Sequence, residues 1–323
     1  ASRRRPDVDF VGQAVRVADE TNGRPVQLTW PREEDITHDF YRPAAVAVLR
    51  GGLDADGQVA ALSITSAGDA ITPRWLGRTV PALALADTPD RSNSEGLFDL
   101  PYGIGHQHMA HVATFSGVPV GYWRSVGHSH NAFFSEGFID ELAHAAGHDP
   151  LAFRLGLLEH APRHAAVLKL AAEKAGWGTP LPAGRARGVA LHESFGSIVA
   201  QVAEVVLADG QPRVTRVVCA ADVGTVVNPG IVAQQMEGAI VFGLCAALHQ
   251  RIDIEAGAVK QTNFHDYRLL TLAESPRIET WLVTSERPPG GAGEPGVPPV
   301  APAVANALFA LTGRRVRSLP LTL

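Results

Sequence analysis

The chain has 323 residues, 46% of them hydrophobic and 19% charged, with a formal net charge of -5 and a pI near 6.2. That is enough apolar material for two domains of ordinary size, and the acidic balance argues against nucleic acid as the main partner. The only cationic run, Arg3 to Arg5, reads as a solvated end. Cys219 and Cys245 lie far apart in apolar stretches and read as buried free thiols. Two cysteines cannot supply the four thiolates of an iron–sulfur cluster, so any cluster must belong to another chain. No apolar run approaches the roughly 20 residues needed to cross a bilayer, so no transmembrane segment is expected. The opening ASRRRPDVDF lacks the apolar region of a signal peptide, and a start without Met points to a processed subunit, a fragment or a trimmed chain.

In chain order, RPVQLTW (24–30), AAVAVLR (44–50) and QVAALSIT (58–65) read as strands, the last two joined by a hairpin at Asp56-Gly57. A helix is expected over Phe134 to Ala146, with Phe134, Phe138, Ile139 and Leu142 on one face and Gly147 as its stop. Asp149 caps a second helix with Pro150 at its first position, and a third covers about 161–175 and ends at Gly176. The Pro/Gly-rich stretch 176–188 is the best domain boundary, dividing the chain into lobes 1–180 and 181–323. Beyond it, strands 198–207 and 213–221 flank the turn Asp209-Gly210, and apolar helices cover 232–248 and 301–313. The mixture without strict βαβ alternation gives an α+β fold class.

The stretch PPGGAGEPGVPPVAPA (288–303) contains Gly291-x-Gly293-x-x-Gly296, formally a dinucleotide fingerprint. Pro295, Pro298 and Pro299 prevent a helix from starting at these glycines, which argues against that use. What remains is a rigid loop presenting one acid, Glu294, either as a solvated residue or as a general base. Arg124 to Gly127, just before the first clear helix, is either a plain capping loop or a set of N–H donors for an anion. The turn at Asn228-Pro229 and the helix start near Gln235 leave the same two readings open. His106, His108 and His111 form one cluster, and His128 and His130 a second. Neither is joined by an acid or Cys at ligand spacing, so hydrogen-bonding or surface histidines are expected in preference to a metal site.

Several pieces run in an order that resembles the xanthine dehydrogenase/aldehyde oxidase superfamily. They are WPREEDITHDFYRPAAV, GVPVGYWRSVGHSHNAFFSEGFIDELA, AGHDPLAFRLGLL, GVALHESFGSIVAQVAEV, DVGTVVNPGIVAQQMEGAI, QTNFHDYRLL and GAGEPGVPPVAPAVANAL. The likeness covers essentially the whole chain and is greatest to the branch typified by the isoquinoline 1-oxidoreductase beta subunit, as the C-terminal half of a molybdopterin-binding subunit. It implies two mixed α/β lobes, the second carrying the GEP loop. It also implies a molybdenum hydroxylase that oxidises an aldehyde or hydroxylates an N-heterocycle with water-derived oxygen. Glu294 matches that family's catalytic base. Arg124, Ser125, Val126 and Gly127 match a loop that contacts the cofactor, and Gln235, Gly238 and Gly293 match segments near the pterin. The implied cofactor is molybdopterin, in bacteria usually the cytosine dinucleotide, with electrons leaving through a small [2Fe–2S] subunit.

The chain departs from the family pattern where a G-G-x-F-G loop should precede the RRPDVDFV segment, and it lacks a second G-Q-G segment. His130 stands where xanthine dehydrogenases commonly have Gln. The resemblance therefore implies the base but about half of the cofactor cradle, the rest coming from an N-terminal half or companion subunit, and no activity for the chain alone. A truncated, non-catalytic family member serving as an assembly or interaction module stays open as the alternative.

Overall fold

The computed structural model describes residues 7–83 and 90–323, so the Arg3–Arg5 run lies outside the described residues. Helices α1 (Asp9–Asp19) and α2 (Arg32–Thr37) lead into a hairpin of β1 (Ala45–Leu53) and β2 (Val59–Asp69). Its turn forms as its sequence dictates: Asp54 Oδ1 accepts the N–H groups of Asp56 (3.0 Å) and Gln58 (2.8 Å), and Gly57 takes φ +75°. Helix α3 (Ile71–Thr79) and the short α4 (Arg91–Ser94) precede β3 (His106–Thr114), which pairs parallel to β2. The strand expected at 24–30 is not one. Its β-prone residues find no ladder partner, and propensity without a neighbouring strand does not make a sheet.

Helix α5 (His128–Ala145) starts six residues before the predicted Phe134. The histidines, Ser129 and Asn131 of its first turn are buried, so the apolar periodicity that marks a helix begins only after them. Asp149 Oδ1 accepts from Leu151 (3.0 Å) and Ala152 (2.9 Å) to cap α6 (Pro150–Leu157), as its sequence required. Helix α7 (Pro162–Ala175) ends on Gly176 at φ +67°. Strands β4 (Arg185–Ser194), β5 (Ser197–Ala208) and β6 (Gln211–Asp222) follow. The last two turn through Asp209 and Gly210, both at positive φ, as the two-residue hairpin demanded. Then come α8 (Pro229–Leu248), a small pair β7 (Ile254–Glu255) and β8 (Ala258–Val259), β9 (Arg277–Leu282) and α9 (Val300–Thr312).

The second sheet has the order β4-β5-β6-β9, with only the β6–β9 pair parallel. Its two faces feed two cores because side chains alternate along a strand. Val189, Leu191, Ile198 and Val202 pack with Leu62 and Ile64 of β2, Ile139 of α5 and Leu168 of α7. Val199, Ala203 and Cys219 pack instead with Met236, Ile240 and Leu244 of α8 and with Val304 and Leu308 of α9. The first core thus draws on residues from both sides of position 180. Gly188 in β4 leaves no room for a Cβ against the α9 backbone around Ala303 and Asn306. Cys219 and Cys245 are free and buried, and burial pushes the Cys219 thiol up to about 12. Helix α8 corrects the expectation that no apolar run reaches bilayer length, since its 20 residues suffice by length and composition. One of its faces is protein core, with Met236, Ala239, Ile240 and Leu244 fully buried.

A buried ionic network crosses the helices. Glu136 of α5 accepts from Tyr102 Oη (2.6 Å), Arg154 Nε (3.0 Å) and the Leu191 N–H (2.9 Å). Asp140, one turn on, takes Arg315 at 2.6 Å and lies 3.6 Å from Arg154. Asn306 of α9 donates to the Val189 carbonyl (3.1 Å) and the Glu136 carbonyl (3.4 Å). These bonds tie α5 and α9 to β4.

Candidate active site

The glycine-rich segment does not form a helix at its glycines. It threads as a loop between the β4–β5 turn and α8, and α9 begins only at Val300, past the prolines. Gly290 N–H donates to Val223 O (2.8 Å) and Gly291 N–H to Phe195 O (2.8 Å), while Ser197 Oγ donates to Gly291 O (2.6 Å). Gln201 Nε2 donates to Gly296 O at 2.8 Å. A Cβ on Gly296 would meet Ala239 Cβ at 2.8 Å, so only glycine lets the loop rest on α8.

Glu294 is half-buried at the tip of this loop, and the segment before α5 grips it. The Ser125 N–H donates to Glu294 Oε2 (2.9 Å), and Ser125 Oγ donates to the Glu294 carbonyl (2.7 Å). Arg124 lies over the neighbouring peptide, donating to Gly293 O from Nε (2.8 Å) and from Nη2, and reaching Gln235 O and Oε1 at 3.4 Å. Burial pulls the Arg124 guanidinium down, and the charge of Glu294 offsets part of that. Ser125 (φ +71°) and Val126 (φ +45°) are both left-handed, a conformation costing about 1–3 kcal/mol at a non-glycine residue and typical of functional sites.

The structure therefore brings Arg124, Ser125, Gln235, Gly293 and Glu294 together. The N–H groups of 125–127 are spent inside the chain: Ser125 on Glu294, Val126 on Trp123 O (2.8 Å) and Gly127 on Ser92 O (2.9 Å). Gly127 is buried, and a Cβ there would strike the Ser92 and Asn93 backbone at 2.7–2.9 Å. Gly238 lies one turn beyond Gln235 on the exposed face of α8, where a Cβ would meet nothing within 4 Å. Among the histidines, His111 Nδ1 bonds Ser66 Oγ at 2.8 Å, and His130, buried, bonds Asn93 O at 3.0 Å. Burial draws His130 down to about 3. Among the described residues no group of three or more His, Cys, Asp or Glu could hold a metal ion. Sequence reading missed Phe195, whose carbonyl accepts the Gly291 N–H of this loop; the ESFG turn between two strands was the available signal.

The family described as molybdopterin cofactor-binding domain matches the chain twice, over residues 11–156 and 160–276. The chain is also 34% identical over 306 residues to the beta subunit of isoquinoline 1-oxidoreductase of Brevundimonas diminuta, covering 93% of this chain and 38% of that protein. The chain belongs to the molybdopterin-binding subunits of the xanthine dehydrogenase/aldehyde oxidase superfamily. A nicotinate dehydrogenase subunit of Pseudomonas putida is 32% identical over 327 residues, with 93% of this chain and 27% of that protein covered. This molybdopterin-binding chain thus spans less than half the length of these curated relatives. Its fold matches quinoline 2-oxidoreductase from Pseudomonas putida 86 with TM-score 0.79 at 14% identity, over 95% of this chain and 64% of that one. The aldehyde oxidoreductase of Desulfovibrio desulfuricans follows with TM-score 0.70 at 17% identity, over 94% and 51%.

The residues present fit part of such a cofactor. Gly238 and Gly293 are exposed and flank the exposed Gln235, so this strip offers bare backbone and a side-chain amide to a flat, hydrogen-bonding ring system. The Arg124 cation beside them suits an anionic group.

Proposed function

We propose that this chain supplies the catalytic-base half of a molybdenum hydroxylase site that oxidises an aldehyde or hydroxylates an N-heterocycle with water-derived oxygen. The observation that carries this reading is the grip of Ser125 on Glu294. One carboxylate oxygen is fixed by a backbone N–H, while the other accepts no hydrogen bond from the described residues. A carboxylate held in this way keeps its other oxygen available to accept a proton, as a general base must. Molybdenum in its pyranopterin, when bound, supplies the two-electron oxidation. In this chain, Gln235, Gly238 and Gly293 border the cofactor, Arg124 holds the loop that carries the base, and Glu294 removes the proton.

The remaining cradle comes from an N-terminal half or companion molybdopterin subunit, and a small [2Fe–2S] subunit carries electrons away. The buried and separate Cys219 and Cys245 leave this chain without thiolates for a cluster. The cofactor form consistent with the bacterial relatives is the cytosine dinucleotide. In the complete complex, Glu294→Gln is expected to lower turnover by about 10²–10⁴-fold while molybdenum content stays the same. Unchanged turnover would leave the chain as an assembly module within its complex.

A further inference from the structure

Helix α1 carries an apolar stripe that the described residues leave open. Phe10, Val11, Ala14, Val15 and Ala18 recur at helical spacing, yet no residue of α1 is buried, and Val15 is 61% exposed. The segment after the helix returns alongside it and sets Val26, Leu28 and Trp30 opposite the stripe, with an apolar groove of about 660 Å³ between them. Polar contacts hold the groove in place. Trp30 Nε1 donates to Gln13 Oε1 (2.9 Å), and just ahead of the helix Asp7 accepts from Arg78 Nε (2.7 Å). A helix of 11 residues is marginal in water unless its apolar face is packed, so its own fold does not account for this one. A contiguous apolar groove, unlike single scattered residues, marks a place where another body sits.

We propose that this groove seats the remaining part of the molybdopterin-binding subunit, through an apolar segment flanked by a basic side chain. This rests on the reading that such a part completes the cofactor cradle. Size, place and charge select this occupant. The chain covers 38% of the isoquinoline 1-oxidoreductase subunit and 64% of the quinoline 2-oxidoreductase chain, so the relatives hold polypeptide enough to fill the groove. The match to the cofactor-binding family runs from residue 11, which makes α1 a piece of that unit and not an appendage.

The groove is also continuous with the candidate site. Arg78, which holds Asp7, donates to the Val120 carbonyl at 3.1 Å, and the chain from Val120 leads directly into Arg124 and Ser125. A body seated on α1 therefore stands beside the segment that grips Glu294. Asp19 and Glu20 close α1, exposed and without an ion pair among the described residues. Carboxylates at a helix C-terminus oppose the negative end of its dipole, and a Lys or Arg from the occupant is the complementary group. A second copy of this chain is the poorer fit, since two α1 helices packed antiparallel would set Asp9 against Asp19 and Glu20.

The test places a photo-crosslinking side chain in the groove, Val15→p-benzoylphenylalanine, within the complete enzyme purified from its host. After irradiation, peptide mapping is expected to find position 15 joined to molybdopterin-subunit sequence outside these 323 residues, in the same polypeptide or in a companion chain. A crosslink to the [2Fe–2S] subunit, to a second copy of this chain or to lipid, or no crosslink at all, would overturn the proposal. Val15→Asp gives an independent reading. The melting temperature of this chain alone should hold, because the side chain is exposed there. Molybdenum content of the complete enzyme should fall by about tenfold or more, because a charge then enters an apolar interface. Molybdenum retained at its original level, or a lower melting temperature in the chain alone, counts against the groove as the seat. Glu294→Gln should lower turnover with crosslink and molybdenum content unaltered, so failure of the catalytic reading is told apart from failure of the docking surface.

Discussion

Arg154 is fully buried and is the cation on which α5 and α6 are joined, so Arg154→Met is the most informative change to the scaffold. Burial works against its charge, yet Glu136, Tyr102 and Asp140 together hold the guanidinium more firmly protonated than usual. The methionine fills similar space and removes the charge. Glu136 then keeps Tyr102 Oη (2.6 Å) and the Leu191 N–H (2.9 Å), two neutral donors but no counter-charge. Asp140 keeps Arg315 at 2.6 Å and is still compensated. One buried carboxylate is stranded rather than two, which places the cost near the lower end of the about 3–5 kcal/mol typical of a broken buried pair. Denaturant unfolding should show a lower midpoint with an unchanged slope. Adding Glu136→Gln should recover much of the loss, because the amide oxygen can still serve Leu191. A cost below about 1 kcal/mol for Arg154→Met, or no recovery in the double variant, would refute the view that stranded charge is the penalty.

Gly188→Ala should lower the melting temperature through a cost of about 1–3 kcal/mol, since the added methyl meets α9 backbone that cannot yield. Arg124→Lys keeps the cation but loses the fork on the Gly293 carbonyl. Steady-state kinetics of the complete complex should show kcat/KM falling by about tenfold with molybdenum retained, and an unaltered value would mean that Arg124 does not position the base. His128 and His130 are depressed to about 4 and about 3, chiefly by burial, so the unfolded chain binds protons that the folded chain refuses. Their contribution to stability is complete above the unfolded value of about 6.5 and is lost as pH falls toward 3–4. His130→Gln should flatten that acid limb, measured as denaturation midpoint against pH.

Legibility followed the range of the interactions. Local chemistry was readable: the turns at Gly57 and Asp209-Gly210, the Asp149 cap and the stop at Gly176 are set by residues within a few positions. The segment 24–30 failed because β-propensity is satisfied only by a partner strand. Helix α1 was missed although Phe10, Val11, Ala14, Val15 and Ala18 recur at helical spacing; the stripe was legible, even though none of its residues is buried in the fold. The start of α5 was missed because its first turn is polar yet buried, with His128, His130 and Asn131 bonded to groups more than 30 residues away. Glu294 was legible as a candidate because glycine and proline set the shape of its loop. Its partner Ser125, 169 residues earlier, stood in a loop that the residues left open between a plain cap and an anion site, and nothing local joined it to Glu294.

The same long-range bonds explain how the base is positioned. Ser125 precedes α5 and Glu294 precedes α9, and those two helices are fixed side by side through Asn306 to Glu136 O and Arg315 to Asp140. Once the helices are locked, the loops that enter them must meet, and Ser125 needs only its left-handed backbone to aim its N–H at Glu294. The base therefore rides on rigid elements rather than on a free loop, which is what a site tolerant of little displacement requires. It follows that changes within the α5–α9 network should reach Glu294 without touching it. Arg315→Gln, distant from the carboxylate, should lower turnover through loosened loop geometry while substrate KM and molybdenum content hold. Unchanged turnover in a variant that is measurably less stable would show that the Ser125–Glu294 contact holds itself together independently of the helices behind it.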